Sequence, residues 1–425
     1  MSNLQTHIVD AGVTFERQRL KTPLQLSSGT IHELTQANAS VTVEVDGRRA
    51  TGYGTIYLSG LWAWPDPALL HSYRDTALRD FCTETAGGLI ELCGPPAHPL
   101  ELGLRLHRAV CENDAGWVKP ALARAMCASP FDAAIHDAAG QALGTSAFAF
   151  YREAAAIPSG DRFFPSGGAC KAISRILLSP PRRALDAWLI VGKDDRLDPD
   201  AAWWIRERGY HCFKLKTLGH DPAEDAARTA AVYRGAQRAG VPRPRLSVDS
   251  NEGNADAGGV AEYLDKLRET DREAFDAVEY LEQPTSRDIL KVRFDWRDVA
   301  RRKPVLLDEG LTELDMLDEA VAQGWSGLAL KTCKGHSFCL VAAAWAFERG
   351  LVIAVQDLTN PGLALIHSAL LAAHVPSING AELNSPQFTP AANERWLPRL
   401  GALFDPQSGV HRLSFPIPPG LGSNL

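Results

Sequence analysis

Paired cysteines are missing from this sequence. Its eight cysteines stand singly at 82, 93, 111, 127, 170, 212, 333 and 339, with no C-x-x-C among them. That removes the spacing of a zinc finger or a dithiol centre. In a chain of 425 residues, scattered cysteines read as buried, reduced thiols, so a cytoplasmic setting is expected. Long apolar runs are missing too. The best, near Leu340–Phe347 and Leu363–Ala373, fall well short of the roughly 20 residues that span a bilayer. The opening residues Met1–His7 lack the charged-then-apolar layout of a signal peptide. There is no block of Lys and Arg and no basic strip studded with aromatics, and the net charge of −7 is modest. These absences predict neither a nucleic-acid nor a membrane partner.

What is present is the composition of a globular protein, 45% apolar and 22% charged. The length suggests two or three domains. Val13–Leu26, Ala39–Val45 and Arg49–Tyr57 read as strands, with turns at Ser28-Gly29 and Asp46-Gly47. Helical patterns follow at Pro67–Thr83, Pro99–Glu112 and Val118–Leu143, the last ending on Gly144. Antiparallel strands followed by helices predict a separate α+β unit. The loop Ile56–Pro67 carries Trp62 and Trp64. They read either as an apolar wall for a substrate or as aromatics packed on their own domain or another subunit.

From Tyr210 to Lys334 a different pattern takes over. Five short apolar runs each end on an ionisable residue: His211–Lys216, Arg245–Asp249, Val278–Glu282, Pro304–Asp308 and Gly327–Lys331. Helical segments such as Pro222–Ala239, Gly258–Arg268 and Leu314–Gln323 lie between them. The repeat suits β/α units of about 30 residues, and runs this apolar belong to parallel strands covered on both sides. Leu185–Val191 reads as a preceding strand, with Ile353–Gln356 and Pro376–Leu383 as the seventh and eighth. In a closed β/α barrel, the carboxyl ends of the strands form the active-site rim. Asp249, Glu282 and Asp308 would then meet at one mouth, which a hard divalent cation makes tolerable. Lys214 and Lys216 point to one face of their strand. At about 6 Å and an effective dielectric near 20, two ammoniums repel by roughly 3 kcal/mol. Lys216 is therefore expected to be the neutral amine and Lys214 the cation facing a substrate carboxylate. Lys331 is expected across the mouth, its pKa depressed by the nearby ion.

The motifs Lys214-Leu-Lys216, Asp249-Ser-Asn251, Glu282-Gln-Pro284, Asp308-Glu309-Gly310 and Leu330-Lys331-Thr332 resemble the enolase superfamily. The likeness is to its mandelate racemase/muconate-lactonizing branch, and within that to the lysine–lysine subgroup. It implies an α/β fold: a modified TIM barrel, (β/α)7β, with an N-terminal α+β capping domain completed by the C-terminal segment. The parts would be residues 1–150 (cap), 151–184 (insertion or linker), 185–392 (barrel) and 393–425 (return to the cap). The resemblance further implies one Mg²⁺ per active site, held by Asp249, Glu282 and Asp308. Lys216, Lys331 and Lys214 would be catalytic, Asn251 and Glu309 supporting, with Glu309 paired to Lys331. The loops at about Leu20–Ile31 and Ile56–Pro67 would close over the mouth. Substrate contacts are expected from Trp62, Trp64, His336, Asp357 and Glu382.

The implied chemistry is removal of a proton α to a carboxylate through an ene-diolate, leading to racemisation, epimerisation or cycloisomerisation of a small carboxylate. A homo-oligomer is expected. Acid dehydration, and a metal-bound barrel without turnover, stay open as alternatives. The seventh strand carries no histidine, which disfavours sugar-acid dehydration. The eighth lacks the Asp-x-Asp with which dipeptide-epimerising relatives hold an ammonium.

Overall fold

The structure, a computed structural model, describes residues 4–26, 29–111, 119–152, 155–195, 197 and 201–425. The readings that touched Ser28, Glu112 and Val118 fall partly outside these residues. The chain opens with three antiparallel strands in sequential order: β1 (Thr6–Leu26), β2 (Gly29–Val45) and β3 (Arg48–Tyr57). Asp46 and Gly47 turn β2 into β3, both at positive φ, as the Asp-Gly signal requires. A single helical turn at Gly60–Ala63 is followed by three longer helices: α1 (His71–Cys93), α2 (Pro99–Cys111) and α3 (Ala121–Leu143). Helix α3 is alanine-rich and stops at the left-handed Gly144.

Strand β3 lies on α3 at backbone distance. A Cβ on Gly52 would sit 2.1 Å from the Ala138 nitrogen, and one on Gly54 would sit 1.9 Å from the Pro130 carbonyl oxygen. Only residues without a side chain allow that approach. The C-terminus returns to the same helix: Leu421 N donates to Asp137 Oδ1 at 2.8 Å, and Ser146 bridges Gly420.

Residues 155–183 are docked rather than loose. A helix at Ala169–Ile176 packs on the barrel helix His336–Glu348, and Leu178 N donates to His374 O at 2.8 Å.

Seven parallel strands then pair in chain order: β4 (Trp188–Val191), β5 (Cys212–Lys216), β6 (Arg245–Asp249), β7 (Val278–Glu282), β8 (Val305–Leu307), β9 (Gly327–Lys331) and β10 (Val352–Gln356). Nearly every strand residue is buried, because helices cover the outer faces. This is the capped (β/α)7β architecture expected from the sequence, with one correction. Pro376–Leu383 is not a regular strand. It makes a single parallel bridge, Gln356 to Glu382. The seam to β4 is closed by a side chain: Gln387 Oε1 accepts from Ile190 N at 3.0 Å, and Gln387 Nε2 donates to Ile190 O at 2.8 Å. One amide thus does the work of a strand residue, satisfying a backbone donor and acceptor that burial would otherwise leave unpaired.

Candidate active site

The register places the charged strand ends level with one another. Lys216 pairs with Asp249, and Asp249 with Glu282. Asp308 follows directly on β8, and Lys331 closes β9. Lys214, Lys216, Asp249, Glu282, Asp308 and Lys331 are all at least nine-tenths buried. Burial of this many charges is tolerable only if they are paired, and here cations and anions alternate. Lys214 Nζ lies 2.7 Å from Glu282, 3.0 Å from Glu382 and 3.3 Å from Asp249. Lys216 Nζ donates to Asp249 at 2.5 Å and to Asn251 Oδ1 at 2.8 Å. Lys331 reaches Asp308 and lies 3.5 Å from Glu282. The carboxylates are thereby linked pairwise through shared ammoniums. Their oxygens do not draw within 4.8 Å of one another as a set; among the described residues only Asp186, His211 and Cys212 do so. That trio sits at the opposite, amino end of the strands, where the Arg245 guanidinium already contacts both Asp186 and Cys212.

The ionisation pattern follows from the pairing. Burial would raise Asp249 and Asp308, but facing lysines outweigh it. Lys216 and Lys214 hold Asp249 at about 2, and Lys331 and Lys334 hold Asp308 well below the usual carboxylate range. Burial wins at Glu282, which is pushed up to about 8 although Lys214 opposes the shift. Burial also lowers both Lys214 and Lys331, yet their carboxylate neighbours carry each of them upward. The depression expected of Lys331 presumes a divalent ion beside it; Asp308 and Glu282 by themselves act in the opposite direction. Lys214 is the expected cation, but it is spent on Glu282, Glu382 and Asp249.

The supporting residues differ from expectation in one contact. Asn251 Nδ2 donates to Glu309 Oε1 at 3.1 Å, and Trp62 Nε1 donates to the same oxygen at 2.8 Å. Glu309 is thus tied to the cap loop, with no ion pair to Lys331 among the described contacts. Burial and the charge of Asp308 push it up to about 7. The Trp62 loop is held in turn by Arg287, which donates to Trp62 O at 3.0 Å and pairs with Glu252.

A cavity of about 50 Å³ opens above these groups. Its polar lining includes Lys214, Lys216, Lys331, Asn251, Asp357 and Glu382, and its apolar lining Leu24, Ile31, Leu34, Trp62, Ile190 and Leu358. The two cap loops do close over the mouth. Trp64 does not take part; it is buried against Tyr73, with ring centroids 6.1 Å apart. His336 is also misplaced by the sequence reading. It is buried behind the site, its ring 4.8 Å from that of His136. As the first residue of a buried helix it faces the cap, not the cavity. Glu382 lines the cavity but is engaged by Lys214, Tyr280 and Gln356.

Sequence reading missed three participants. Lys334 is fully buried and donates to Asp308 O at 2.5 Å and Oδ1 at 3.0 Å. Gln356 donates to Glu282. Gln283, at φ +33°, accepts from the backbone of Asp308 and Gly310 at 2.9 and 3.0 Å. The one available signal was lysine three residues past Lys331, at a spacing that turns it back under the strand end. A larger cleft, about 490 Å³, lies between the outer cap sheet and C-terminal residues such as Trp396 and Arg399. None of the strand-end charges reaches it.

Residues 198–425 match the family model described as enolase C-terminal domain-like. No curated protein matches the sequence. Among solved structures, the chain is similar to an enolase from Bradyrhizobium complexed with magnesium and mandelic acid. Identity is 17%, coverage 99% of this chain and 96% of that one, and the TM-score 0.65. A muconate lactonizing enzyme from Pseudomonas fluorescens, complexed with muconolactone, is 16% identical over 98% of this chain and 96% of its own, at TM-score 0.64. A dipeptide epimerase from Enterococcus faecalis, complexed with Mg and a dipeptide, is 16% identical over 89% and 91%, at TM-score 0.63.

Proposed function

The chain belongs to the enolase superfamily through its C-terminal domain, and on that premise we propose that it is a Mg²⁺-dependent enzyme removing the proton α to a substrate carboxylate. The reaction is racemisation or epimerisation, or cycloisomerisation where the substrate supplies an internal acceptor. The observation that carries this reading is the set of buried lysines and carboxylates alternating along the strand ends, with Lys214, Lys216 and Lys331 lining the cavity beside them. A scaffold that only held an ion would need the carboxylates and not three buried lysines.

The donor set fits the ion in its chemistry, with Lys214 and Lys331 standing between the carboxylates. Asp249, Glu282 and Asp308 offer hard oxygen ligands on adjacent strands, which suits Mg²⁺. The magnesium in two of the neighbours described above supports the same choice. Bound there, Mg²⁺ would offset the second negative charge that grows on the substrate carboxylate as the α-proton leaves.

The remaining work falls to the chain's own residues. Lys216 on β5 and Lys331 on β9 approach the cavity from strands four apart in the sheet. One amine accepts the α-proton and the other returns a proton from the opposite side. Lys214 holds Glu282 and Glu382 in place. Trp62 and the leucine-rich hairpin exclude water, so each charge interaction inside is strengthened. The division into a cap (1–150), linker (151–184), barrel (185–392) and closing segment (393–425) belongs to the same proposal.

Incubating candidate acids with the protein and Mg²⁺ in D₂O tests it. Deuterium is expected at the α-carbon by NMR. Lys331→Ala should cut exchange of at least one stereoisomer by 100-fold or more, since general acid–base groups contribute about 10²–10⁴-fold. Exchange undiminished by EDTA would overturn the reading.

A further inference from the structure

The cleft of about 490 Å³ takes no part in the proton-transfer chemistry, and none of its lining residues lines the strand-end cavity. Its size falls within the roughly 300–1,000 Å³ of small-molecule sites. One wall is the cap sheet. Gly52 and Gly54 turn their face of β3 to α3, so Tyr53 and Thr55 point to the other face. The register sets Thr14 opposite Asn38, and Asn38 opposite Thr55. Directly opposed residues share a face of the sheet. Thr14, Asn38 and Thr55 therefore form a polar row across all three strands, and all three line the cleft. The facing wall is Leu363, on the helix Gly362–His374, together with Arg395, Trp396 and Arg399. Gly362 N donates to Asn393 Oδ1 at 2.9 Å, which ties the C-terminal segment to that helix.

Three features of these walls ask for a ligand. Arg395 and Arg399 have no ion-pair or hydrogen-bond partner among the described residues; Arg395 lies over the Trp396 ring, 5.2 Å from its centroid. The Trp396 indole nitrogen and the Thr55 hydroxyl are buried without a hydrogen-bond partner, a state that costs free energy until a partner arrives. Glu16 lines the cleft as well, with Oε1 accepting from Gln18 Nε2 at 2.7 Å. A phosphate monoester carries close to two negative charges at pH 7, and paired guanidiniums match its oxygens in charge and shape. Carboxylate, amide and hydroxyl side chains on the opposite wall suit a body rich in hydroxyl groups.

We propose that this cleft is a second ligand site, separate from the strand-end cavity, for a hydroxyl-rich phosphate monoester of the sugar-phosphate class. Arg395 and Arg399 hold the phosphate, and Thr14, Asn38, Thr55 and Glu16 take the hydroxyls. Such a ligand joins cap to barrel. Thr55 is two residues from Tyr57, whose N donates to Asn360 Oδ1 of the turn after β10 at 2.9 Å, and β3 runs on into the Trp62 loop. Because the ligand needs both walls in place, its differential affinity favours the closed cap.

Titration calorimetry on the full-length protein with Mg²⁺ tests the site, using glucose 6-phosphate, glucose, inorganic phosphate and gluconate as probes. Glucose 6-phosphate is expected to bind at least tenfold tighter than each of the others. The double variant Arg395→Ala, Arg399→Ala should weaken it tenfold or more. Thr55→Val should weaken it at least threefold and leave the thermal midpoint in place, since the hydroxyl it removes has no partner. Lys331→Ala should bind glucose 6-phosphate as the parent does. Amide hydrogen exchange should slow on binding both in β3 and in residues 390–399. Inorganic phosphate or gluconate binding as tightly as glucose 6-phosphate overturns the assignment of the ligand. Binding lost in Lys331→Ala but kept in the arginine variant overturns the site, and so does binding of no probe, including the case in which sedimentation shows a second copy of the chain and Arg399→Glu releases it. Slowed exchange at one wall alone overturns the joining of cap to barrel. None of these readouts requires turnover, so α-proton removal stands or falls separately on deuterium exchange.

Discussion

Lys334 illustrates how a single buried side chain can matter without touching a substrate. It is fully buried, and its ammonium is spent on the backbone and side chain of Asp308. Removing Lys334 leaves the Asp308 carbonyl and one carboxylate oxygen without this donor while Lys331 still pairs with the other oxygen, at a cost of about 1–3 kcal/mol. Lys334→Met should therefore lower unfolding stability by that order in urea titrations. Lys291→Met, which breaks a 2.7 Å pair on the surface, should leave the midpoint where it is, because water already screens that pair. Equal effects of the two would show that burial does not govern the strand-end lysines. Lys334 was not legible as a site residue because its role depends on the chain turning back after β9. By contrast Lys214, Lys216, Asp249, Glu282, Asp308 and Lys331 were legible. All but Lys214 end an apolar run, and Lys214 lies two residues before Lys216 on the same strand face; strand periodicity alone sends such residues to one rim.

At the scale of elements, glycine shows what the sequence could and could not convey. Gly87-Gly88 interrupts the helical pattern that begins at Pro67, so the reading stopped at Thr83, yet α1 runs on to Cys93. Packing of Leu78, Phe81, Cys82 and Leu89 outweighs the roughly 1 kcal/mol that each glycine costs a helix. A Cβ at Gly87 would meet nothing within 4 Å, whereas one at Gly54 would strike the backbone of α3. Gly87→Ala should accordingly stabilise the protein by about 0.5–1 kcal/mol. Gly54→Ala should destabilise it by about 1–3 kcal/mol or more, as overpacking does. Chemical denaturation of the two variants checks both signs. The eighth strand was misread for a related reason. Pro376–Leu383 has strand-like composition and bonds to β10, but the β4 groups it would pair with on its other side, those of Ile190, are met by Gln387. The tie between Trp62 and Glu309 is longer still in sequence, and no local pattern encodes it. Strand identity and rim chemistry are local and were readable; barrel closure and the lid contacts are long-range and were not.

At the scale of the whole molecule, cap and barrel meet across a layer of buried histidines. His98 and His136 come from the cap side, and His336, His367 and His374 from the barrel. Phe148 stacks on His374 at 3.8 Å and meets His336 edge-on at 5.4 Å. Burial lowers all five: His98, His367 and His374 to about 4, His336 to about 3, and His136 well below its ordinary value. A group with a depressed native pKa binds its proton first in the unfolded chain. Its stabilising contribution is present above about pH 6.5 and is lost as the pH falls toward the native value. Asp132, buried in the same layer and raised to about 6, acts in the opposite sense and offsets part of the loss. His336 isolates the effect, since both its ring nitrogens lack hydrogen-bond partners and an apolar ring forfeits none. His336→Phe should shift stability by a constant amount above pH 7 and gain on the parent by about 1.4 kcal/mol per pH unit below about 6. Urea midpoints from pH 7.5 to 4.5 measure this. Parallel curves for parent and variant would mean that His336 charges freely in the native state, and the neutral layer between cap and barrel would have to be abandoned.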